Sequence, residues 1–495
     1  MKKMTVKTVL FAGLLVFPLI ANAQYKDEAA LKETKGVQLR NEKAAIDSAA
    51  VLIEQMEVSK RDTTRVLKEP LVITLEQALD IALSENVAVK VAGLEIKRTE
   101  YAKKGAYAAL YPQIDLSASY QRTIKKQKMY MNMGGSPMEI EVGMFNTLNA
   151  GATAVLPLVN AQLWKGLKIS AIDVELAVEK ARSSKLEMVT QVKNAYYGVL
   201  FAKEALKVYE EVYDNALKNY QEVQKKFEAD KVSELEESRA NTSVMNAIPN
   251  MYNAASSVEL ALWQLKAVLG VDLDFKLDVK GNLGDFTEHM FYETHKNDTI
   301  DLANNSTIKQ LKYQVEQLKE NIKLQKYACI PSLAASFNFS YISMANDVSF
   351  KEFPWSPYST AGISLSIPIF AGGKRHQAIR QAKNQHQQVQ LQVDNTKRQL
   401  EIAVRQHIIT METNMESYYA AQEAVKSAEK AYEIAVAAFN VGRSTQTDLN
   451  DAQLALTQSQ LAQSQAVYNF LMAKSQLEHT LGQDYFSNSD LTNEK

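Results

Sequence analysis

The sequence predicts a mainly α-helical protein with a few strands of membrane type, in which one unit of helix, strand, loop, strand and long helical hairpin is written twice. The duplication is the first observation behind that reading. Leu83-Ser84-Glu85-Asn86 leads to Pro112 as Leu302-Ala303-Asn304-Asn305 leads to Pro331, and the Asn pair and the Pro pair are each 219 residues apart. The segment from Ala150 to Val159 returns from Ala361 to Phe370, with Gly151 and Gly362, like Pro157 and Pro368, 211 residues apart. Leu269-Gly270 and Leu481-Gly482 close the two copies. An ancestral duplication explains these matches, so neither half is read as an independent globular domain. The second observation is a pair of very long apolar stripes at helical spacing, and the third is a set of strands that alternate apolar and polar.

In chain order, Lys2, Lys3 and Lys7 precede an apolar run from Val9 to Ile20, and Ala21-Asn22-Ala23 offers the small residues of a cleavage site. Residues 1–23 are therefore read as a signal peptide, with the mature chain beginning at Gln24. That run falls short of the ~20 residues of a spanning helix. No longer apolar stretch follows, so a membrane crossing would use strands. Gln24 in place of Cys offers no acyl anchor, and the single Cys329 excludes an intramolecular disulfide. Residues 24–70, charged and poor in aromatics, are expected to form a flexible periplasmic arm. A formal net charge of −1 with both signs interspersed lacks the basic footprint of a nucleic-acid binder.

The first repeat is placed at 71–285. Thr74-Leu75-Glu76-Gln77 has capping-box form and starts a helix expected to reach about Tyr111. Strands follow at 113–122 and 148–157, and then a helical hairpin at 159–270. In that hairpin Val189, Val192, Tyr196, Val199, the polar slot Lys203, Leu206, Tyr209 and Tyr213 step by threes and fours, at the ~3.5-residue mean of a coiled-coil seam. Its first arm, roughly 65 residues at 1.5 Å each, would reach on the order of 100 Å, longer than an ordinary core needs. Pro249 is expected to kink the return helix near Asn246. A linker at 286–298 leads to the second repeat at 299–482, with strands at 332–342 and 359–370 and a hairpin at 374–482. Residues 483–495 form a tail.

Ile114, Leu116, Ala118 and Tyr120 alternate with Asp115, Ser117, Ser119 and Gln121, and the later strands repeat the pattern. Each strand has about the 9–11 residues of a tilted membrane strand, with the polar face toward a wet lumen. Tyr111, Tyr120, Phe350, Phe353, Trp355 and Tyr358 fall near strand ends, where aromatic girdles sit. A barrel closes at about eight strands, and an open edge in lipid costs several kcal/mol per unpaired group. One chain supplies about four strands, so several chains must share one barrel. A soluble half-buried sheet would show the same alternation; the leader, the duplication and the helix lengths favour the membrane.

The residues Leu75 to Asn86, the Tyr111-Pro112-Gln113-Ile114 and Ile330-Pro331-Ser332-Leu333 junctions, and Pro368-Ile369-Phe370-Ala371-Gly372-Gly373-Lys374-Arg375 resemble the TolC-like outer-membrane efflux family from Thr74 to Gly482. The resemblance implies a homotrimer with a joint twelve-stranded β-barrel above an α-helical coiled-coil tunnel that reaches across the periplasm. It also implies a periplasmic adaptor (a membrane fusion protein), an inner-membrane pump of RND, ABC or MFS type, and surrounding outer-membrane lipid. The implied role is a passive exit duct for efflux or type I secretion.

The run Phe439-Asn440-Val441-Gly442-Arg443-Ser444-Thr445-Gln446-Thr447-Asp448 resembles the family's periplasmic tip. Gly442 suits a turn with positive φ, and Asp448 is expected to start the return helix. By resemblance, Asp448 and Asp451 fall where the family carries the carboxylates that narrow the tunnel mouth. Three residues apart on one helix face, they would gather about six carboxylates around a threefold axis and favour cations. Helix capping is the plainer role for Asp448. Val441, Gly442, Ser444, Thr445, Ser233 and Glu234 are the residues that the resemblance places at the adaptor. The family's Tyr and Arg lock is replaced here by Phe439 and Ser444, and the first tip, Phe227 to Glu234, reads as shorter and lacks the turn glycine.

Met129, Met131, Met133, Met138 and Met144 fall in the loop between the first two strands and are assigned to an ordinary surface loop rather than to a soft-metal site. The six histidines show no ligand spacing, and no nucleophile–base pair or phosphate loop suggests catalysis. The competing class is a periplasmic adaptor or coiled-coil scaffold that does not conduct. Such a protein would carry one hairpin between soluble β-domains, whereas this chain carries two, each preceded by alternating strands.

Overall fold

The computed structural model describes residues 70–133, 136–290, 300–347 and 354–484. The expected signal peptide, nearly all of the N-terminal arm, most of the inter-repeat linker, Phe350, Phe353 and the tail beyond residue 484 lie outside the described residues. The described residues divide into two compact units, one within 70–87, 191–289 and 420–468, the other within 88–190, 290–419 and 469–484.

β1 (Leu71–Ile73) opens the first unit, and α1 (Leu75–Glu85) follows from a complete capping box. Thr74 Oγ1 accepts from the Gln77 N–H, and Gln77 Oε1 accepts from the Thr74 N–H at 3.0 Å. The helix expected to run unbroken to Tyr111 stops at Asn86, whose backbone turns extended (φ −62°, ψ 131°), and α2 (Val87–Ala108) begins beyond it. A tertiary bond explains the break: Asn86 Nδ2 donates to Val268 O at 2.8 Å, at the end of the return helix.

The second unit holds β2 (Gln113–Arg122), the hairpin of β3 (Gln127–Met133) and β4 (Ser136–Val142), and β5 (Asn146–Val159). The methionine-bearing segment, expected to be a loop, thus contains two paired strands, with Met131 opposite Met138 in the register. Lys128 pairs with Glu139 across them. α3 (Ala161–Glu228) then runs unbroken for 68 residues. After the turn, α4 (Glu234–Leu269) continues through Pro249 and ends at Gly270, whose φ of 76° is the left-handed C-cap that glycine adopts without strain. β6 (Leu277–Val279) pairs in parallel with β1, a ribbon too short for any periodicity to announce, and a 3₁₀ helix (Leu283–Met290) covers the start of the expected linker. In the first unit the Tyr196 hydroxyl bridges this ribbon, 3.2 Å from Ile73 O and 2.5 Å from Lys280 O.

The second copy continues with α5 (Ser306–Tyr327), β7 (Ser332–Ala345), β8 (Trp355–Ser366), α6 (Lys374–Asn440) and α7 (Gln446–Leu481). β8 lies four residues earlier than the expected 359–370. Pro368 cannot donate to a ladder, and its carbonyl accepts from Arg375 Nη1 at 2.8 Å instead. The matching Pro157 stays inside β5, where the ladder shifts register between Pro157 and Val159.

The four long strands form one antiparallel sheet in the order β2-β5-β7-β8. Its register carries the alternation across all four strands. Leu116, Ala152, Phe339 and Ser359 lie in one row, and Ile114, Ala154, Phe337 and Ala361 in the next, on the same face. Ser117, Gly151 and Ser340 occupy the opposite face. Among the described residues, β2 and β8 pair on one side only, and Leu116 is 85% exposed. No helix among the described residues is long and apolar enough to cross a membrane.

Candidate functional site

Both hairpins turn over inside the first unit. The turns are residues 229–233 between α3 and α4 and residues 441–445 between α6 and α7, so the first tip, expected to be shorter, has the same length. The expected gap at the turn glycine is filled by Asp230, which takes a left-handed φ of 54° where Gly442 has 75°. Asp is one of the few side chains that tolerates this region. The closures match bond for bond: Asp230 N–H to Phe227 O at 2.9 Å and Lys231 N–H to Lys226 O at 2.9 Å, against Gly442 N–H to Phe439 O at 3.0 Å and Arg443 N–H to Ala438 O at 2.8 Å.

The return helices are capped by Ser233, whose Oγ accepts from the Glu236 N–H at 3.3 Å, and by Thr445, whose Oγ1 accepts from the Asp448 N–H at 3.2 Å. Asp448 closes the second cap reciprocally, its Oδ2 accepting from the Thr445 N–H at 2.8 Å and from its hydroxyl at 2.7 Å. These bonds, the backbone one foremost, hold the Asp448 carboxyl below the usual carboxylate range. The helix therefore starts at Gln446, two residues before Asp448, which serves as the third residue of a capping box. Asp448 and Asp451 are both exposed on the first turns of α7.

Beneath the turns the two hairpins share a small core. Val223 and Ala240 of the first pack with Phe439 and Leu449 of the second. Phe439, expected to replace the family's lock, is buried, and Lys226 Nζ lies 5.3 Å from its ring centroid, a cation–π contact that ties one tip to the other. Ser444 Oγ lies 3.5 Å from Ala435 O.

Sequence reasoning missed a polar seam beside this core. Asn219 Nδ2 donates to the buried Gln446 Oε1 at 2.9 Å, Gln446 Nε2 donates to Asn450 Oδ1 at 3.0 Å, and Asn215 Nδ2 reaches Gln453 Oε1 at 3.4 Å. The partners from different hairpins are more than 220 residues apart, and the one available signal was amides on the inward faces of two heptad stripes. Val441, Gly442, Thr445, Ser233 and Glu234 are exposed, and nothing lies within 4 Å of a Cβ built on Gly442. The first turn of α4 is acidic, with Glu234, Glu236 and Glu237.

The girdle candidates separate. Tyr120 and Trp355 share the apolar face of the sheet, in register with Leu148 and Ser343, while Tyr358 pairs with Ser340 on the polar face. Tyr111 is exposed just before β2, and Phe353 lies outside the described residues. Tyr120 also donates to Asn146 Oδ1 at 2.9 Å. Among the described residues, no cluster of three or more His, Cys, Asp or Glu is placed to hold a metal.

Comparison with known proteins places this architecture. The model of the outer membrane efflux protein family matches residues 78–271 and 301–483, one match per repeat. The outer membrane efflux protein BepC of Brucella suis is 23% identical over 181 residues, 37% of this chain and 39% of that protein. The alkaline protease secretion protein AprF of Pseudomonas aeruginosa is 22% identical over 337 residues, 66% of this chain and 68% of that protein. The crystal structure of the Campylobacter jejuni outer membrane channel CmeC superposes with a TM-score of 0.65 at 18% identity, covering 84% of this chain and 88% of that one.

Proposed function

The chain belongs to the outer membrane efflux protein family, and from that premise we propose that it is the outer-membrane exit duct of a tripartite efflux pump or type I secretion system. The single observation that carries this reading is the four-stranded sheet, apolar along one face, polar along the other, and, among the described residues, unpaired at both outer strands. Such edges cannot rest in lipid. Three chains contribute twelve strands, enough to close a barrel whose polar face lines the pore. The helical hairpins then form a periplasmic tunnel, and the polar seam and shared core keep the two tips of each chain together at its mouth.

The partners are a periplasmic adaptor and an inner-membrane pump, which supplies the energy that a passive duct lacks. BepC is named for efflux and AprF for protease secretion. The match to BepC spans less than half of that protein, so the cargo is left at the level of the shared duct. The exposed turn residues Val441, Gly442, Thr445, Ser233 and Glu234, with the half-buried Ser444, are the adaptor-facing surface of this reading. Asp448 and Asp451 form the constriction, three copies of the pair surrounding the axis.

Heat-modifiable trimers in outer-membrane fractions and single-channel conductance in planar bilayers test the duct. A soluble, non-conducting product would instead support the scaffold. For the constriction, Asp448→Asn with Asp451→Asn removes the charges while an amide oxygen still caps the helix. Block of the conductance by divalent cations at the periplasmic entrance weakens in that variant; unchanged block removes the assignment.

A further inference from the structure

The four strand ends that join helices lie at one end of the sheet, since Gln113 pairs with Val155, Val159 with Leu333, and Ser332 with Ser366. Four helix ends therefore meet the sheet there, and they are strongly basic. Over ten residues each, α2 ends on Lys103 and Lys104 and α3 opens with Lys165 and Lys168, with Glu100 the one carboxylate. α5 ends with Lys319, Lys323 and Lys326 around the single Glu320, and α6 opens with Lys374, Arg375, Arg380 and Lys383 and no carboxylate. A chain of net charge −1 thus gathers eleven cations against two anions at one place.

Glu320 shows how little of that charge is neutralised within the protein. Its carboxylate is 2% exposed and receives three ammonium groups, from Lys323 at 2.7 Å, Lys165 at 3.1 Å and Lys168 at 3.3 Å. One negative charge is shared among three positive ones. The Lys168 and Lys323 side chains remain 50% and 41% exposed, and Lys104, Lys319, Lys326 and Lys374 are exposed. Beside this collar the sheet presents its apolar face at Ile114, Leu116, Ile363 and Leu365, each more than half exposed. An apolar band bordered by cations fits an acyl chain and the phosphate of the same molecule. A soluble anion would match the cations and leave the band unexplained.

We propose that this collar recognises the phosphate groups of anionic phospholipids in the leaflet that meets the helix ends, an inference that rests on the outer-membrane duct reading. Each basic side chain near an anionic surface contributes about fivefold in binding, an effect that falls within a Debye length.

The full chain is purified and placed in nanodiscs of phosphatidylcholine, with or without phosphatidylglycerol, and its retained lipid is measured by native mass spectrometry beside its conductance. Phosphatidylglycerol is retained over phosphatidylcholine by on the order of tenfold at low salt, and high salt abolishes the preference. Lys104→Gln, Lys319→Gln, Lys326→Gln and Lys374→Gln together reduce it at least to a few-fold, while Lys225→Gln with Lys231→Gln at the tip leaves it intact. Equal retention of the two lipids, or an unchanged quadruple variant, overturns the proposal. Displacement by millimolar inorganic phosphate as efficient as by phosphatidylglycerol overturns the lipid assignment. Conductance without lipid preference removes this inference alone, whereas the absence of both trimers and conductance removes the duct itself.

Discussion

The same chain closure is tied twice, once in each compact unit, and the two versions differ in how firmly they are held. In the first, Asn86 Nδ2 reaches Val268 O at 2.8 Å and Gly270 turns left-handed against Glu85. In the second, Asn305 Nδ2 reaches Thr480 O at 2.7 Å and Gly482 turns left-handed against Asn304. In the second, Asn305 is also a buried N-cap, its Oδ1 accepting from the Ile308 N–H at 3.0 Å, and Arg182 clamps the closure by donating to Asn304 O, Gly482 O and Asp484. The first is braced instead by Tyr196 on the β1–β6 ribbon, and burial pushes that phenol up to about 12. Duplication thus preserved a backbone closure while each copy acquired its own reinforcement.

The largest expected effect lies at the two glycines. A Cβ on Gly482 would meet the Asn304 carbonyl carbon at 2.8 Å and its oxygen closer still, with φ at 70°, while on Gly270 the nearest atom is Glu85 O at 3.2 Å. Gly482→Ala should cost about 3–4 kcal/mol and Gly270→Ala about 1–2 kcal/mol in thermal or denaturant unfolding. Equal losses would erase the difference between the closures. Next in size, Asn305→Ala loses a cap and a buried long-range bond, about 2–3 kcal/mol, and Asn86→Ala, whose bond to Val268 O is only partly buried, loses less.

Acid should loosen the second unit through Glu320. Burial opposes its ionisation, but the hydrogen bonds from Lys323, Lys165 and Lys168 outweigh that and pull its carboxyl down to about 2. A depressed carboxyl stabilises the fold above its unfolded value, and the contribution is lost as pH falls from about 4.5 toward 2. With the lysines partly solvated, this amounts to about 2 kcal/mol. Glu320→Gln should flatten the unfolding profile in that window, and an unchanged profile would show that Glu320 is not the group responsible. The smallest contrast is at the tips, where Asp230→Gly should gain up to about 1 kcal/mol and Gly442→Ala lose about 1 kcal/mol, read from the melting of each variant.

Much of this architecture is legible in the sequence because it is periodic or punctuated. Gly442 marks its turn, Thr74 and Gln77 their cap, and the alternation of Ile114 to Tyr120 its strand. The remainder depends on partners far away in the chain. Nothing local to Asn86 announces that its amide bonds to Val268 O rather than allowing the helix to continue. The three-residue strands β1 and β6 are too short to show a period, and Gln446 looks like a first-turn residue until Asn219 is set beside it. Asp230 shows the limit of reading turns by glycine alone, since the backbone geometry was kept after the residue type had changed.

The shared barrel is tested most directly by hydrogen–deuterium exchange of the purified membrane form, resolved by strand. If neighbouring chains complete the sheet, amides of the outer strands β2 and β8 are protected as strongly as those of β5 and β7. Rapid exchange of β2 and β8 beside protected inner strands would mean that each chain keeps open edges, and a pore built from pooled strands would be ruled out.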